Sequence, residues 1–147
     1  MTELILVGTD GSETATLAVA EAADLAANLG AKLLILTAFA NGADTKLGEQ
    51  AHNVPAPKSW RSARRTEAEE VLAEAVDSLG RTDLSVETVA QEGDAAEAII
   101  RVAEKRNADI VVVGNKGMTG IKRFLLGSVP SRVAHHAPCS VFIVRTT

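Results

Sequence analysis

A chain of 147 residues, 46% hydrophobic and 23% charged, is long enough to bury one core without disulfide or metal staples, and its balance is that of a globular domain rather than a disordered segment. The net charge of -4, the lack of a basic stripe, and only one Trp and three Phe to stack on bases set nucleic-acid binding aside. Cys139, the single cysteine, has no internal partner and lies beside an apolar run as a small buried hydrophobe does. No stretch approaches the roughly 18 consecutive apolar residues of a membrane span, and no basic-then-apolar signal opens the chain, so no membrane association and a cytoplasmic location are expected.

Leu4 to Val7 is a short apolar run ending in Gly8-Thr9-Asp10-Gly11-Ser12, a cluster of turn formers that opens a helical pattern; the chain begins as strand, loop and helix. From Ala18 the apolar positions Ala22, Leu25 and Leu29 recur at helical spacing, with Ser12 placed to cap the start and Gly30 the end. The run from Leu33 to Leu36, extending to Phe39, is continuous rather than alternating, as in a strand covered on both faces of a parallel sheet. Asn41 to Ser59 carries Gly, Asp, Asn and two prolines with no sustained period, and is expected to be a loop.

Helix is expected again from Glu67 to Leu79, with Ala68, Val71, Leu72, Ala75 and Leu79 on one face and Gly80 ending it. Ser85 to Gln91 alternates Val86, Thr88 and Ala90 against Glu87, Val89 and Gln91, the pattern of a strand at a sheet edge. Asp94 followed by Glu97 resembles a capping box, and Ala98, Ile99 and Val102 form the buried stripe of a helix that ends near Lys105 and Arg106. Ile110 to Val113 is another continuous apolar strand, followed by the glycine-bearing stretch Gly114 to Ser128, a short helix to about His136, and a last strand from Val141 to Val144. About four helices alternate with five strands, without repeats or a change of composition, which predicts one doubly wound α/β domain over residues 1–147.

The stretch from Gly114 to Ser128 leaves a buried strand and enters a helix. In open α/β sheets ligands collect at the carboxyl ends of strands where the connection direction reverses, and glycines there let backbone N–H groups approach a phosphate. Gly127-Ser128 stands at a helix start, where unpaired N–H groups and the helix dipole favour an anion. Spacing alone leaves a second explanation open, a tight strand-to-helix loop that needs glycine for its backbone angles. The stretch is neither a Walker A loop nor the compact Gly-x-Gly-x-x-Gly fingerprint.

Gly114, two residues, Gly117, nine residues, then Gly127-Ser128 matches the ATP-binding motif of the universal stress proteins, and Val7-Gly8-Thr9-Asp10-Gly11-Ser12 resembles that family's opening strand and loop. The likeness extends along essentially the whole chain to Pro138-Cys139-Ser140-Val141 at the last strand. It implies a Rossmann-like, five-stranded parallel sheet in the order 3-2-1-4-5, with an adenine nucleotide across strands 1 and 4. Carried over by motif position, Gly8, Thr9 and Asp10 would line the adenine and ribose side, with Ala38 packing on the base and Val113 and Gly114 completing the wall. Gly117 would pass close to the ribose or phosphates, and Gly127, Ser128 and Val129 would hold the phosphates. Asp10 and Ser128 each have a second reading as a helix cap, and Lys116, Lys122 and Arg123, which could pair with phosphates or stand as solvated loop cations, are left out of the core site.

The chain departs from the family motif in one informative place. After Gly-Ser-Val it has Pro130, which offers no N–H where many ATP-binding members have a donor. Either proline is simply tolerated in a first helical turn, or the ligand carries fewer phosphates, as in an actinobacterial Gly-Ser-Val-Pro subgroup associated with cyclic AMP.

Catalytic machinery is not evident. His52, His135 and His136 lack zinc spacing, since adjacent helical residues point about 100° apart. No nucleophile elbow or carboxylate pair stands out, and Asp10 alone does not make a phospho-acceptor site. The expected function is therefore an adenine-nucleotide-binding regulatory protein, taking ATP or cyclic AMP, with magnesium able to accompany ATP. Slow ATP hydrolysis or self-phosphorylation at Ser128 or Thr9, and a nucleotide-independent scaffold, are the alternatives. The resemblance also implies a homodimer paired through the last strand.

Overall fold

In a computed structural model of the chain, which describes residues 1–40, 58–115 and 126–146 and side chains from Ser62 onward in the second span, the apolar runs form a parallel sheet. Its strands are β1 (Leu4–Gly8), β2 (Lys32–Phe39), β3 (Val86–Glu92), β4 (Ile110–Gly114) and β5 (Ser140–Val144), in the order β3-β2-β1-β4-β5. Ile5 lies level with Leu33 on one side and Ile110 on the other, and Val7 with Ile35 and Val112. The helices are α1 (Glu13–Leu29), α2 (Lys58–Leu79), α3 (Ala95–Arg106) and α4 (Ser128–His136). The doubly wound, Rossmann-like α/β fold expected from the sequence is the fold observed.

Continuity of the apolar runs follows from burial on both faces. Along β1, Leu4 and Leu6 face a layer built from Ile99 and Val102 of α3 and Val133 of α4. Ile5 and Val7 face the other layer, made of Ala22 and Ala26 of α1 and Leu72 of α2. Successive strand side chains point to opposite faces, so a strand between two helix layers needs an apolar residue at every position. The sheet edges relax that demand. β3 stands at the edge, as expected, but its burial does not alternate: Thr88 alone is exposed, and Glu87 lies half-buried beside Lys32 Nζ at 3.1 Å.

Local signals place the helix ends. Ser12 Oγ accepts a hydrogen bond from the Ala15 N–H at 3.2 Å, and Gly30 closes α1 in the left-handed region at φ 66°. Asp94 Oδ2 accepts from the Glu97 N–H at 3.2 Å to open α3. The buried face of α1 is almost entirely alanine, with Ala22, Ala23 and Ala26 at 0% exposure. Alanine loses no side-chain entropy in a helix, and its small side chain permits close approach to the sheet.

Two expectations are corrected. Leu29 is in phase with Ala22 but is the last residue of α1, beyond the buried stripe, and is 44% exposed. Helix α2 begins at Lys58, well before the expected Glu67 and inside the stretch read as a loop; residues 41–57 lie outside the described residues. Ser62, Ala63, Arg65 and Thr66 are exposed, so this part of the helix carries no apolar period, while nothing from 58 to 79 is Gly or Pro to break it. The expected face does form, with Ala68 and Leu72 buried and Val71, Ala75 and Leu79 half-buried. No helix among the described residues is long and apolar enough to cross a membrane.

Asp109 fastens the start of β4 to the start of β1. Its Oδ2 accepts from the N–H groups of Glu3 (2.8 Å) and Leu4 (3.0 Å), and its own N–H donates to the Leu4 carbonyl (2.9 Å). These backbone donors, Glu3 first, hold the Asp109 carboxyl below its ordinary pKa. A carboxylate depressed in the folded state stabilises above its unfolded pKa, about 3.9 for aspartate, and that contribution disappears as pH falls through the lower folded value. Asp109→Ala is therefore expected to be less stable than wild type at pH 7, with the difference shrinking as urea midpoints are followed downward from about pH 4. A difference independent of pH would refute the clasp.

Candidate nucleotide site

The chain moves outward from β1 through β2 to β3, then returns to place β4 and β5 on the other side of β1. At that reversal the carboxyl ends of β1 and β4 leave a cavity of about 160 Å³. Gly8, Thr9 and Asp10 line it from β1 and the loop that follows, Val113 and Gly114 from β4, and Leu36 and Ala38 from β2. Above them stand Ala95 and Ile99 of α3, with Val129 and Pro130 of α4. The start of α1 forms the remaining rim through Ser12, Thr14 and Ala15.

The β1 loop is built tightly. The Thr9 N–H donates to the Leu36 carbonyl at 2.8 Å and the Thr9 carbonyl accepts from Thr37 Oγ1 at 3.0 Å. The side-chain oxygen of Thr9 accepts from the Gly11 N–H at 3.1 Å. Thr9 is thus buried and its polar groups are engaged by the fold. Asp10 Oδ1 accepts from the Ser12 N–H at 2.9 Å, which turns the chain towards α1. Gly11 has φ 84°, and a Cβ there would lie 3.3 Å from Val71 Cγ1, so both backbone and space call for glycine.

Space also constrains Gly8. A Cβ at that position would stand 3.0 Å from Ile99 Cδ1, and Ile99 is itself a wall of the cavity. Glycine at the end of β1 therefore lets α3 close over the strand end while the cavity stays open.

At α4, Gly127 is the capping residue and makes no side-chain cap; its N–H donates to the Asn115 carbonyl at 3.1 Å. Ser128 is the first helical residue and is exposed, Val129 is half-buried, and Pro130 is buried. The opening amides of a helix have no partner within it; here Pro130 removes one, so Ser128 and Val129 supply the available pair. First-turn residues of α1, α3 and α4 all border the cavity, which brings three positive dipole ends to one place. Among its described lining residues Asp10 alone carries a charge.

The structure brings together seven of the expected site residues, namely Gly8, Thr9, Asp10, Ala38, Val113, Gly114 and Val129. Gly127 and Ser128 stand two and one positions before Val129, outside the described lining. Gly117, with Lys116, Lys122 and Arg123, lies outside the described residues. The cap readings of Asp10 and Ser128 are both corrected, because Ser12 caps α1 and Gly127 caps α4. Sequence reasoning missed the lining roles of Leu36, Ala95 and Ile99. Two signals were present: Leu36 shares a strand face with Ala38, and Ala95 follows the Asp94 cap at the edge where every parallel strand ends.

The remaining chemistry-bearing residues lie elsewhere. His135 and His136 are exposed on α4, and His52 is outside the described residues. Cys139 is half-buried against the α3–α4 layer; burial, then the Asp109 charge, pushes its thiol pKa up, opposite to an activated thiolate. Among the described residues no group of three His, Cys, Asp or Glu is placed to hold a metal.

Residues 1–145 match the Universal stress protein family. Universal stress protein Rv1636 of Mycobacterium tuberculosis (strain H37Rv) is 33% identical over 144 residues, covering 97% of this chain and 96% of the relative. A crystal structure of a universal stress protein in complex with cAMP has 33% identity and TM-score 0.68, covering 99% of this chain and 98% of the other. UspA from Lactobacillus plantarum superposes with TM-score 0.78 at 25% identity, over 97% of each chain. With sequence motif, sheet order and whole-length similarity in agreement, the chain belongs to the universal stress protein family.

Proposed function

We propose that this chain is a cytoplasmic regulatory protein, one domain over residues 1–147, whose chemistry is the reversible binding of an adenine nucleotide in the cavity between β1 and β4. The observation that carries this reading is the convergence of three helix starts on a slot whose other walls are mainly apolar. A purine fits such walls and an anion fits such a rim. Ala38, Val113 and Gly8 take the base side, with Ile99 opposite. Thr9 supplies the wall beside the ribose, and Asp10 has a second carboxylate oxygen with which to accept a ribose hydroxyl. Ser128 and Val129 offer amides to phosphate, Gly127 and Gly114 leave room for it, and Gly117 retains the role given by the family motif. Asp10 is the single carboxylate at the described rim, so magnesium would enter with the phosphates of ATP and not alone. That also favours binding over hydrolysis.

Pro130 and the charge balance point to a ligand with little negative charge. Each helix start provides only a fractional positive charge, Asp10 opposes it, and the third amide of α4 is missing. A singly charged cyclic phosphodiester is matched better than a triphosphate. The complex of a 33% identical relative with cAMP supports the same choice.

Calorimetry with cAMP, AMP and ATP tests this directly: cAMP is expected to bind tightest, and ATP binding tenfold tighter than cAMP would overturn the assignment. In Pro130→Ala the restored donor should raise ATP affinity relative to cAMP by about three- to tenfold. Gly8→Ala probes the base side. Its methyl group must push Ile99 towards the ligand, costing about 1–3 kcal/mol of stability at most and weakening nucleotide binding at least tenfold, while adding Ile99→Val should recover most of the affinity. Unchanged binding in folded Gly8→Ala would place the ligand elsewhere.

The same reading includes a homodimer. Strand β5 is a sheet edge on which Phe142 is 45% and Ile143 40% exposed, and an apolar edge needs cover. Light scattering at micromolar concentration should give a dimer for the wild type and a monomer for Phe142→Glu; a monomeric wild type removes the proposal.

A further inference from the structure

Asn115 directly follows the cavity residue Gly114 and joins three parts of the chain. Its N–H donates to the Val144 carbonyl at 2.8 Å, carrying the β4–β5 pairing one residue past the strand end. Its carbonyl accepts the Gly127 N–H at 3.1 Å. Its side-chain Oδ1 accepts twice from Thr146, from the N–H at 2.8 Å and from Oγ1 at 3.0 Å. The half-buried residue thereby ties the cavity wall to the cap of α4 and to the chain just past β5.

These contacts have an order of dependence. Gly114, the preceding residue, restrains the backbone least of any residue type, so Asn115 is held by its partners: its N–H by the Val144 carbonyl and its carboxamide by the two bonds from Thr146. Gly127 makes no side-chain cap, so the Asn115 carbonyl is the hydrogen-bond acceptor that holds the Gly127 amide, while Arg132 and the buried Pro130 and Val133 hold the body of α4.

We propose that Asn115 is a positioning residue of the nucleotide site: anchored by Thr146, it fixes Gly127 and so aims the Ser128 and Val129 amides at the phosphate. Thr146, two residues past β5, thereby acts on the anion side of the site without touching ligand. The affinity part of this inference rests on the nucleotide-binding reading above, whereas the placement of Gly127 does not.

The test uses Asn115→Ala, Asn115→Asp, Thr146→Pro and the double variant Asn115→Ala/Thr146→Pro in the full chain, with calorimetry for cAMP, AMP and adenosine and hydrogen exchange at the Gly127 amide. Asn115→Ala should weaken cAMP and AMP five- to tenfold, leave adenosine within twofold because it lacks the phosphate, and speed Gly127 exchange. Thr146→Pro, which lacks both donors, should act in the same way, and the double variant should be no worse than the stronger single one. Asn115→Asp retains an acceptor for Thr146 and should keep wild-type exchange at Gly127. Unchanged Gly127 exchange in Asn115→Ala, equal weakening of adenosine, or additive effects in the double variant would overturn the inference. If wild type binds none of the three ligands, the nucleotide reading fails while Gly127 exchange still decides the positioning role. Should Asn115→Ala not fold, Thr146→Pro at the sheet margin gives the same readouts.

Discussion

A parallel sheet obliges each strand to hand its chain to a crossover that returns over one face, so every helix that follows a strand starts at the same edge. In this protein the crossovers after β1 and β2 lie on one face and those after β3 and β4 on the other. Between β1 and β4 the layers part, and the cavity opens at the strand ends. The cavity is a consequence of that reversal, and so are the three dipole ends beside it. Everything specific about the site is a decoration of a gap that the winding makes unavoidable.

What fills the gap depends on small residues. Gly8 leaves space for Ile99, Gly11 permits the turn beneath α1, and the alanine face of α1 brings that helix close to the sheet. Gly8, at the end of β1, and Gly11, in the loop after it, act differently: the first leaves room for a side-chain tip, and the second also takes a left-handed backbone angle. The proposed anion side is sparer still: at the start of α4 only the Ser128 and Val129 amides and the exposed Ser128 hydroxyl can donate, because Pro130 has no N–H.

Asn115 shows how such a backbone-made site is held in place. Amides at a helix start can be aimed only by fixing the helix, and α4 is short and uncapped by any side chain. Its reference point is the β4–β5 pair through Asn115, just as Asp109 refers the opposite end of β4 to β1. Arg132 of α4 adds a link to the α3 cap through Asp94 Oδ2 at 2.8 Å, so the two helices over the cavity share a fastening at their starts.

By itself the sequence determined the alternation of strands and helices, the caps at Ser12, Gly30 and Asp94, and the edge character of β3, because these follow from periodicity and local hydrogen bonding within a few residues. The two glycine-bearing motifs, read through their family resemblance, also pointed to the ends of β1 and β4 and the start of α4, which border the cavity. The extent of α2 before Glu67 was not legible, since a solvent-exposed first half carries no apolar period. Only the tertiary structure decided that Leu36, Ala95 and Ile99 wall the site, that Gly8 leaves room for the tip of Ile99, and that Asn115 joins Gly127 to Thr146. Those relations connect residues far apart in the chain, and no local pattern records which distant side chain will arrive at a given strand end.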